Sequence, residues 1–261
     1  MISELKSFIK RTPLIDLYIL LKKRFKKPAA QNDETEILTR LIRRFEVPHS
    51  FVEFGFSGWE FNCASLVGEW AGLLVDGDPY NVRIANLVLP KGVTSKCIWL
   101  TLDTIDFIET FAMKRNLGIL SIDVDGNDYW FLDRLIKTRP AIIICEYNSS
   151  FGLKPISTPY DPDFDRTKKH DSWTYFGASL TALSHLASVN GYSLIEVSNS
   201  GVNAFFVRRD LMTVDDHELK PEHAFREKYF HDGTRPSQQF EKIKHLPFID
   251  VTKYRDQEEH S

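Results

Sequence analysis

Phe51-Val-Glu-Phe-Gly-Phe-Ser-Gly-Trp-Glu-Phe-Asn62 is the stretch from which the rest of the chain is read. A short apolar run ends in Glu53-x-Gly55-x-x-Gly58, and residues spaced as in a helix follow over Trp59–Trp70. The pattern predicts strand, tight glycine turn, helix. Glycines remove Cβ atoms where a ligand must lie against the backbone, and the start of a helix offers free N–H groups beside them. Such a junction is half of a nucleotide-type pocket in a doubly wound α/β domain.

Outward from this junction the chain alternates. Gly72–Asp76 is apolar on both faces and reads as a second strand. Asp78-Pro79 opens a helix over Pro79–Leu89, with proline in its favoured early position. Cys97–Leu102 reads as the third strand, Thr104–Asn116 as a helix and Gly118–Val124 as the fourth strand. Asp128–Lys137 follows as a helix and Ala141–Tyr147 as the fifth strand. This rhythm predicts a mostly parallel sheet. It breaks over 148–175, a long segment rich in turn signals, which reads as a lid or insert. Gly177–Asn190 resumes as a helix, and Tyr192–Val197 with Ala204–Val207 reads as an antiparallel hairpin closing the sheet.

Three parts are expected: a basic amphipathic helix and linker over 1–33, the catalytic domain over 34–209, and a helical C-terminal extension over 210–261. In the first part Leu14, Ile15, Leu17, Tyr18 and Leu21 precede Lys22, Lys23, Arg24, Lys26 and Lys27. Such a helix either packs on the domain with a solvated basic end, lies on an anionic membrane surface, or offers a basic dock for a charged substrate carrier. Glu34–Phe45 is amphipathic, with Ile37, Leu38, Leu41, Ile42 and Phe45 in one stripe.

Of the 261 residues 43% are hydrophobic and 26% charged, which predicts a real core. A net charge of −3 gives no support for a nucleic-acid binder. Cys63, Cys97 and Cys145 stand apart among apolar residues and read as buried free thiols of a reducing, cytoplasmic setting. No apolar run is long enough for a transmembrane helix.

In an open parallel sheet, ligands bind beyond the carboxyl ends of the strands. There the sequence sets Glu53, Asp76, Asp103, Asp123 with Asp125 and Asp128, and Glu146. Clustered acids repel one another and are costly to desolvate, so such a set is read as a site. Asp76, at the end of the second strand, suits the two hydroxyls of a ribose. Dinucleotide enzymes carry a glycine where Glu53 stands. A carboxylate at that place repels a pyrophosphate and attracts an ammonium, which favours S-adenosyl-L-methionine over NAD. A poorly nucleophilic acceptor needs a base, and His170, Asp128 and Glu146 are the candidates. Asn148, Tyr147 and Trp173 are the candidate acceptor contacts. Asp125 and Glu146, with waters, make a candidate Mg²⁺ site.

Glu53-x-Gly55-x-x-Gly58-x-x-x-Asn62, Leu102-Asp103-Thr104-Ile105 and Ser121-Ile-Asp-Val-Asp-Gly-Asn127 together resemble the FkbM-type branch of class I S-adenosylmethionine-dependent methyltransferases. The resemblance covers about Glu34–Arg208. It implies a Rossmann-like, doubly wound, seven-stranded sheet with an antiparallel last strand. It also implies cofactor contacts at Glu53, Gly55, Gly58, Asn62, Asp76, Asp103 and Asp123. The expected activity is O-methylation of a sugar, as in a capsular, lipopolysaccharide or glycoconjugate sugar, or of another polar hydroxyl-bearing metabolite. The rivals are N-methylation on the same fold and an inactive binding or scaffold protein. A homodimer is compatible with all three.

Overall fold

The computed structural model describes residues 14–229 and 233–253; Met1–Pro13 of the basic N-terminal helix, the anchor Phe230 and the tail from residue 254 lie outside them. The main sheet holds β1 (Ser50–Phe54), β2 (Ala71–Asp76), β3 (Val93–Cys97), β4 (Ile119–Ile122) and β5 (Ile142–Glu146). After a short separate strand, β6 (Ile156–Ser157), it is completed by β7 (Tyr192–Val197) and β8 (Asn203–Arg208). The order is β3-β2-β1-β4-β5-β8-β7. The pairings among β1 to β5 are parallel, while β8 runs antiparallel to both β5 and β7. This is the Rossmann-like, doubly wound seven-stranded sheet with a reversed last strand that the resemblance implies.

Alternation along the strands divides the core in two. Phe51, Leu74, Ile119, Ile142 and Phe205 face one layer, covered by α2 (Glu34–Arg44) and, after α1 (Leu14–Lys23) and α2, by α3 (Pro79–Val88). The stripe Ile37, Leu38, Leu41 and Phe45 is the buried face of α2. Val52, Val75, Leu120, Ile143 and Phe206 face the other layer. That layer is α4 (Asp106–Arg115), α5 (Asp128–Leu135) and, beyond the short α6 (Arg166–Lys169), α7 (Leu180–Val189). α7 is capped by Ser179, whose Oγ accepts from the Ala182 N–H at 2.9 Å, and Gly191 ends it at φ +83°.

Three expectations need correction. The third strand is Val93–Cys97, not Cys97–Leu102. It is a half-exposed edge strand, so it carries no apolar signature, whereas Ile98–Leu100 is apolar because it lines a cavity. Trp59–Trp70 is not a helix: it forms loops around one 3₁₀ turn, Ala64–Leu66. Its apolar spacing reflects Phe61, Cys63, Leu66 and Trp70 packing beneath α2. Cys97 is exposed, while Cys63 and Cys145 are buried.

The 148–175 segment is folded onto the body. The Asn148 N–H donates to the Ala178 carbonyl at 2.7 Å. Beyond β8 come α8 (Pro221–Ala224), α9 (Pro236–Ile243) and β9 (Ile249–Asp250), and β9 pairs with β6. Phe151, Phe164, Tyr175, Phe176 and Ile243 form a small core of their own, so the C-terminal segment closes over the insert.

Candidate active site

The chain leaves β1 outward to β2 and β3 and then returns to β4, so the switch point lies between β1 and β4. Gly55 and Asp123 end those two strands and touch. A Cβ on Gly55, whose φ is +79°, would lie 1.5 Å from the Asp123 carbonyl oxygen. Two cavities open on this point. One, of about 240 Å³, is mainly apolar, with Val75, Ile98, Trp99, Leu100, Phe131 and Phe164 in its wall. The other, of about 470 Å³, is polar, and Asn62, Asp123, Asp125, Glu146, Arg166 and Asn203 are among its lining. Gly55, Asp76 and Val124 border both.

Asp76 stands at the junction. Its Oδ1 accepts from the Asp78 N–H at 2.6 Å and from Asn81 Nδ2 at 3.2 Å. Burial pushes its carboxyl above the usual range. Asn81 also accepts from the Gly58 N–H at 3.2 Å, which ties the glycine turn to α3. Asp78 is a helix cap, accepting from the Tyr80 N–H at 2.8 Å.

Glu53 has a different role from the one its position suggests. Its Oε1 accepts from the Asn62 N–H at 2.6 Å and its Oε2 from the Cys63 N–H at 2.8 Å. The carboxyl therefore braces the loop after Gly58 where a helix was expected. Burial outweighs these two donors and pushes it up to about 7. Asn62 reaches across the sheet ends, donating to Ser121 Oγ at 3.0 Å and accepting from Asn203 Nδ2 at 3.4 Å.

Asp123 and Glu146 both line the polar cavity. Burial first, then the neighbouring acids, push both well above the usual carboxylate range. Glu146 Oε2 and Asn203 Oδ1 are buried and have no protein partner. Both are acceptors, so a ligand that satisfies them must bring donors.

Several candidate residues are engaged elsewhere. Asp128 is buried at the start of α5; its Oδ1 accepts from the Val124 N–H and its Oδ2 from the Gly126 N–H, both at 2.9 Å. It holds the turn after β4 rather than facing an acceptor. Asp128→Ala is expected to cost about 2–4 kcal/mol in urea unfolding, because two buried donors lose their partner. Unchanged stability with lost turnover would return Asp128 to the chemistry. His170 lies outside both cavity walls, its Nδ1 2.7 Å from Ser172 Oγ and 3.1 Å from the Ser172 N–H.

Asn148 is spent on the backbone: Nδ2 donates to the Thr174 and Phe176 carbonyls, and Oδ1 accepts from the Ser150 N–H. The Tyr147 hydroxyl donates to the Arg226 carbonyl at 2.9 Å. Trp173 projects to solvent on a backbone at φ +56°, and its carbonyl accepts from Arg166 Nε at 2.6 Å. Asp103 is exposed in the turn before α4 and borders neither cavity.

The metal expectation does not fit these residues. Asp125 holds the Arg166 guanidinium, which also stacks 3.7 Å from the Phe176 ring centroid. Among the described residues no group of three or more His, Cys, Asp or Glu converges as a metal site. The sequence reading missed the apolar wall and the residues brought from afar: Asn81, Arg166, Asn203 and Lys228. Asn203 had a signal, as a polar residue opening the apolar run Ala204–Val207.

No family model and no curated protein matches this chain. Among solved structures it is similar to the N-terminal domain of EvdMO1, determined with S-adenosylhomocysteine and D-fucose. The identity is 12%, the match covers 74% of this chain and 95% of that one, and the TM-score is 0.41. It is also similar to WbdD, at 12% identity over 72% of this chain and 42% of that one, with a TM-score of 0.39. A third is phosphoethanolamine N-methyltransferase 2 of Haemonchus contortus, at 13% identity over 71% and 44%, with a TM-score of 0.37.

Proposed function

We propose that this chain is an S-adenosylmethionine-dependent O-methyltransferase for a sugar or another polar, hydroxyl-bearing metabolite. The observation that carries the reading is the pair of cavities meeting at Gly55 and Asp76, one apolar and one acid-lined, at the switch point of the sheet. Their chemistry fits a ligand with an aromatic base at one end, a ribose in the middle and an ammonium at the other. The apolar wall of Leu100, Phe131 and Phe164 suits the adenine, Asp76 the ribose hydroxyls, and Asp123 the ammonium. Bound there, the cofactor supplies a methyl group activated on a sulfonium sulfur.

The chain's own part is to position the acceptor and take its proton. Glu146 Oε2 is the base this reading assigns: it is unpartnered, it borders the polar cavity, and its raised proton affinity suits uptake from a hydroxyl. Asn203 Oδ1 beside it is an acceptor for a second hydroxyl. An amine meets the same oxygens as readily, which keeps N-methylation as the second reading. Product mass spectrometry with paired hydroxyl and amine acceptors separates the two.

Titration calorimetry with S-adenosylhomocysteine tests the foundation. Binding in the micromolar range is expected, and Asp76→Ala is expected to weaken it by about 1.5–3 kcal/mol, the scale of hydrogen bonds to a charged group. No binding at tens of micromolar would sink the enzyme reading and favour a binding or scaffold protein. Unchanged affinity in the variant would move the ribose away from Asp76.

A further inference from the structure

α1 has two apolar faces, and the fold uses one. Ile15 and Ile19 are buried against Trp59, Ile84 and Val88. The helix is fixed there by the Asp16–Arg83 ion pair at 2.6 Å and by Lys23 Nζ donating to the Leu87 carbonyl at 3.1 Å. On the opposite side Leu17, Tyr18, Leu20 and Leu21 are 44–58% exposed, and Phe25, in the turn that follows, is 91% exposed. A surface helix ordinarily presents charge to water, and a contiguous exposed apolar patch marks an interaction surface. From Ile15 to Leu21 the single charged residue is Asp16, which is turned to Arg83.

What covers this face is indicated by the residues at its end. Lys22, Lys23, Arg24, Lys26 and Lys27 follow within six positions, and among them Lys23, Arg24 and Lys27 are exposed. Lys26 is paired with Glu60 at 3.6 Å, and Lys22 lies over the Tyr18 and Trp59 rings. The basic cluster thus stands over its neighbouring acids in excess, with flexible stems beside an apolar strip. Apolar side chains inserted at the acyl boundary, flanked by cations at the level of anionic headgroups, are the chemistry of an interfacial helix. A second protein copy would meet this cluster with its own like charge.

We propose that the outer face of α1 seats the protein on an anionic lipid bilayer. The inference is independent of the methyl-transfer reading. The full chain is sedimented with vesicles of phosphatidylcholine and with vesicles of phosphatidylcholine mixed with phosphatidylserine. Sedimentation with the mixed vesicles alone, released by salt, is expected. Combined Leu17→Ser, Leu21→Ser and Phe25→Ser should lower the bound fraction by roughly tenfold or more, since binding follows the apolar area inserted. Arg24→Glu with Lys27→Glu should abolish the preference for the anionic vesicles. These side chains are exposed, so an unchanged thermal transition shows that each variant folds.

Failure to sediment with mixed vesicles overturns the proposal, as does equal sedimentation of the serine variant. A dimer of the wild type that the serine variant converts to a monomer overturns it too, by giving the face to a second copy.

Discussion

Gly55→Ala is expected to leave little folded protein. The added Cβ would sit 1.5 Å from the Asp123 carbonyl oxygen and 2.3 Å from its carbon, both backbone atoms that cannot rotate away. Relief requires β1 and β4 to part. Yet here the Gly55 N–H donates to the Val75 carbonyl at 3.1 Å and the Asp123 N–H to the Phe54 carbonyl at 3.1 Å. The left-handed backbone at φ +79° adds about 1–2 kcal/mol for a residue with a Cβ. Together with the clash, the cost exceeds about 4 kcal/mol, a large share of the 5–15 kcal/mol that holds a typical domain. Urea unfolding followed by tryptophan fluorescence measures it. Gly191→Ala is the control: its φ is +83°, but a Cβ there meets nothing within 4 Å. It should therefore cost only the backbone strain, about 1–2 kcal/mol. If the two variants unfold alike, the contact at the switch point is softer than its geometry implies.

Glu146→Gln is expected to lower turnover by about 10²–10⁴-fold, the range for loss of a general base, while making the protein more stable in alkaline solution than in acid relative to the wild type. Burial and the neighbouring Asp123, Asp125 and Asp128 raise the proton affinity of Glu146 in the folded state. The folded chain therefore binds this proton more tightly than the unfolded chain. The stabilisation is fully present below the usual carboxylate range and is lost as pH rises through the folded value. Asp123 acts in the same direction. The wild-type unfolding midpoint should fall as pH rises from the usual carboxylate range toward the raised folded values. The glutamine variant, neutral throughout, should exceed it above the folded value and converge with it below the usual carboxylate range. Turnover that survives the substitution would remove Glu146 as the base. A stability gap independent of pH would show that shape, not charge, separates the two side chains.

The sheet was legible in the sequence wherever a strand is buried on both faces. β1, β2, β4 and β5 are mostly apolar on both faces for that reason, with Glu53, Asp76, Ser121 and Glu146 among the exceptions. β3 was not: Val-Thr-Ser-Lys-Cys lies at the edge, and its neighbours carry the apolar signal because they wall a cavity. The acids at the strand ends were legible as a group, but their division of labour was not. Glu53 and Asp128 each satisfy two backbone N–H groups, and those partners exist only once the turns have closed. Asp123 and Glu146 keep their carboxyls for the cavity because nothing in the backbone claims them. Arg166, Asn203 and Lys228 come from the insert, the reversed strand and the C-terminal segment, and sequence spacing does not relate them to β1.

The reversed strand also sets the order in which the chain can be completed during synthesis. β8 lies between β5 and β7, although it is the last of the seven to leave the ribosome. Until Asn203–Arg208 has emerged, Ile142–Glu146 presents a bare edge of four aliphatic or thiol side chains and one acid. A segment of that composition is a template for pairing with other nascent chains. Products cut short before the hairpin turn at 198–201 are therefore the aggregation-prone species, and holding that edge until it is filled is work for a chaperone.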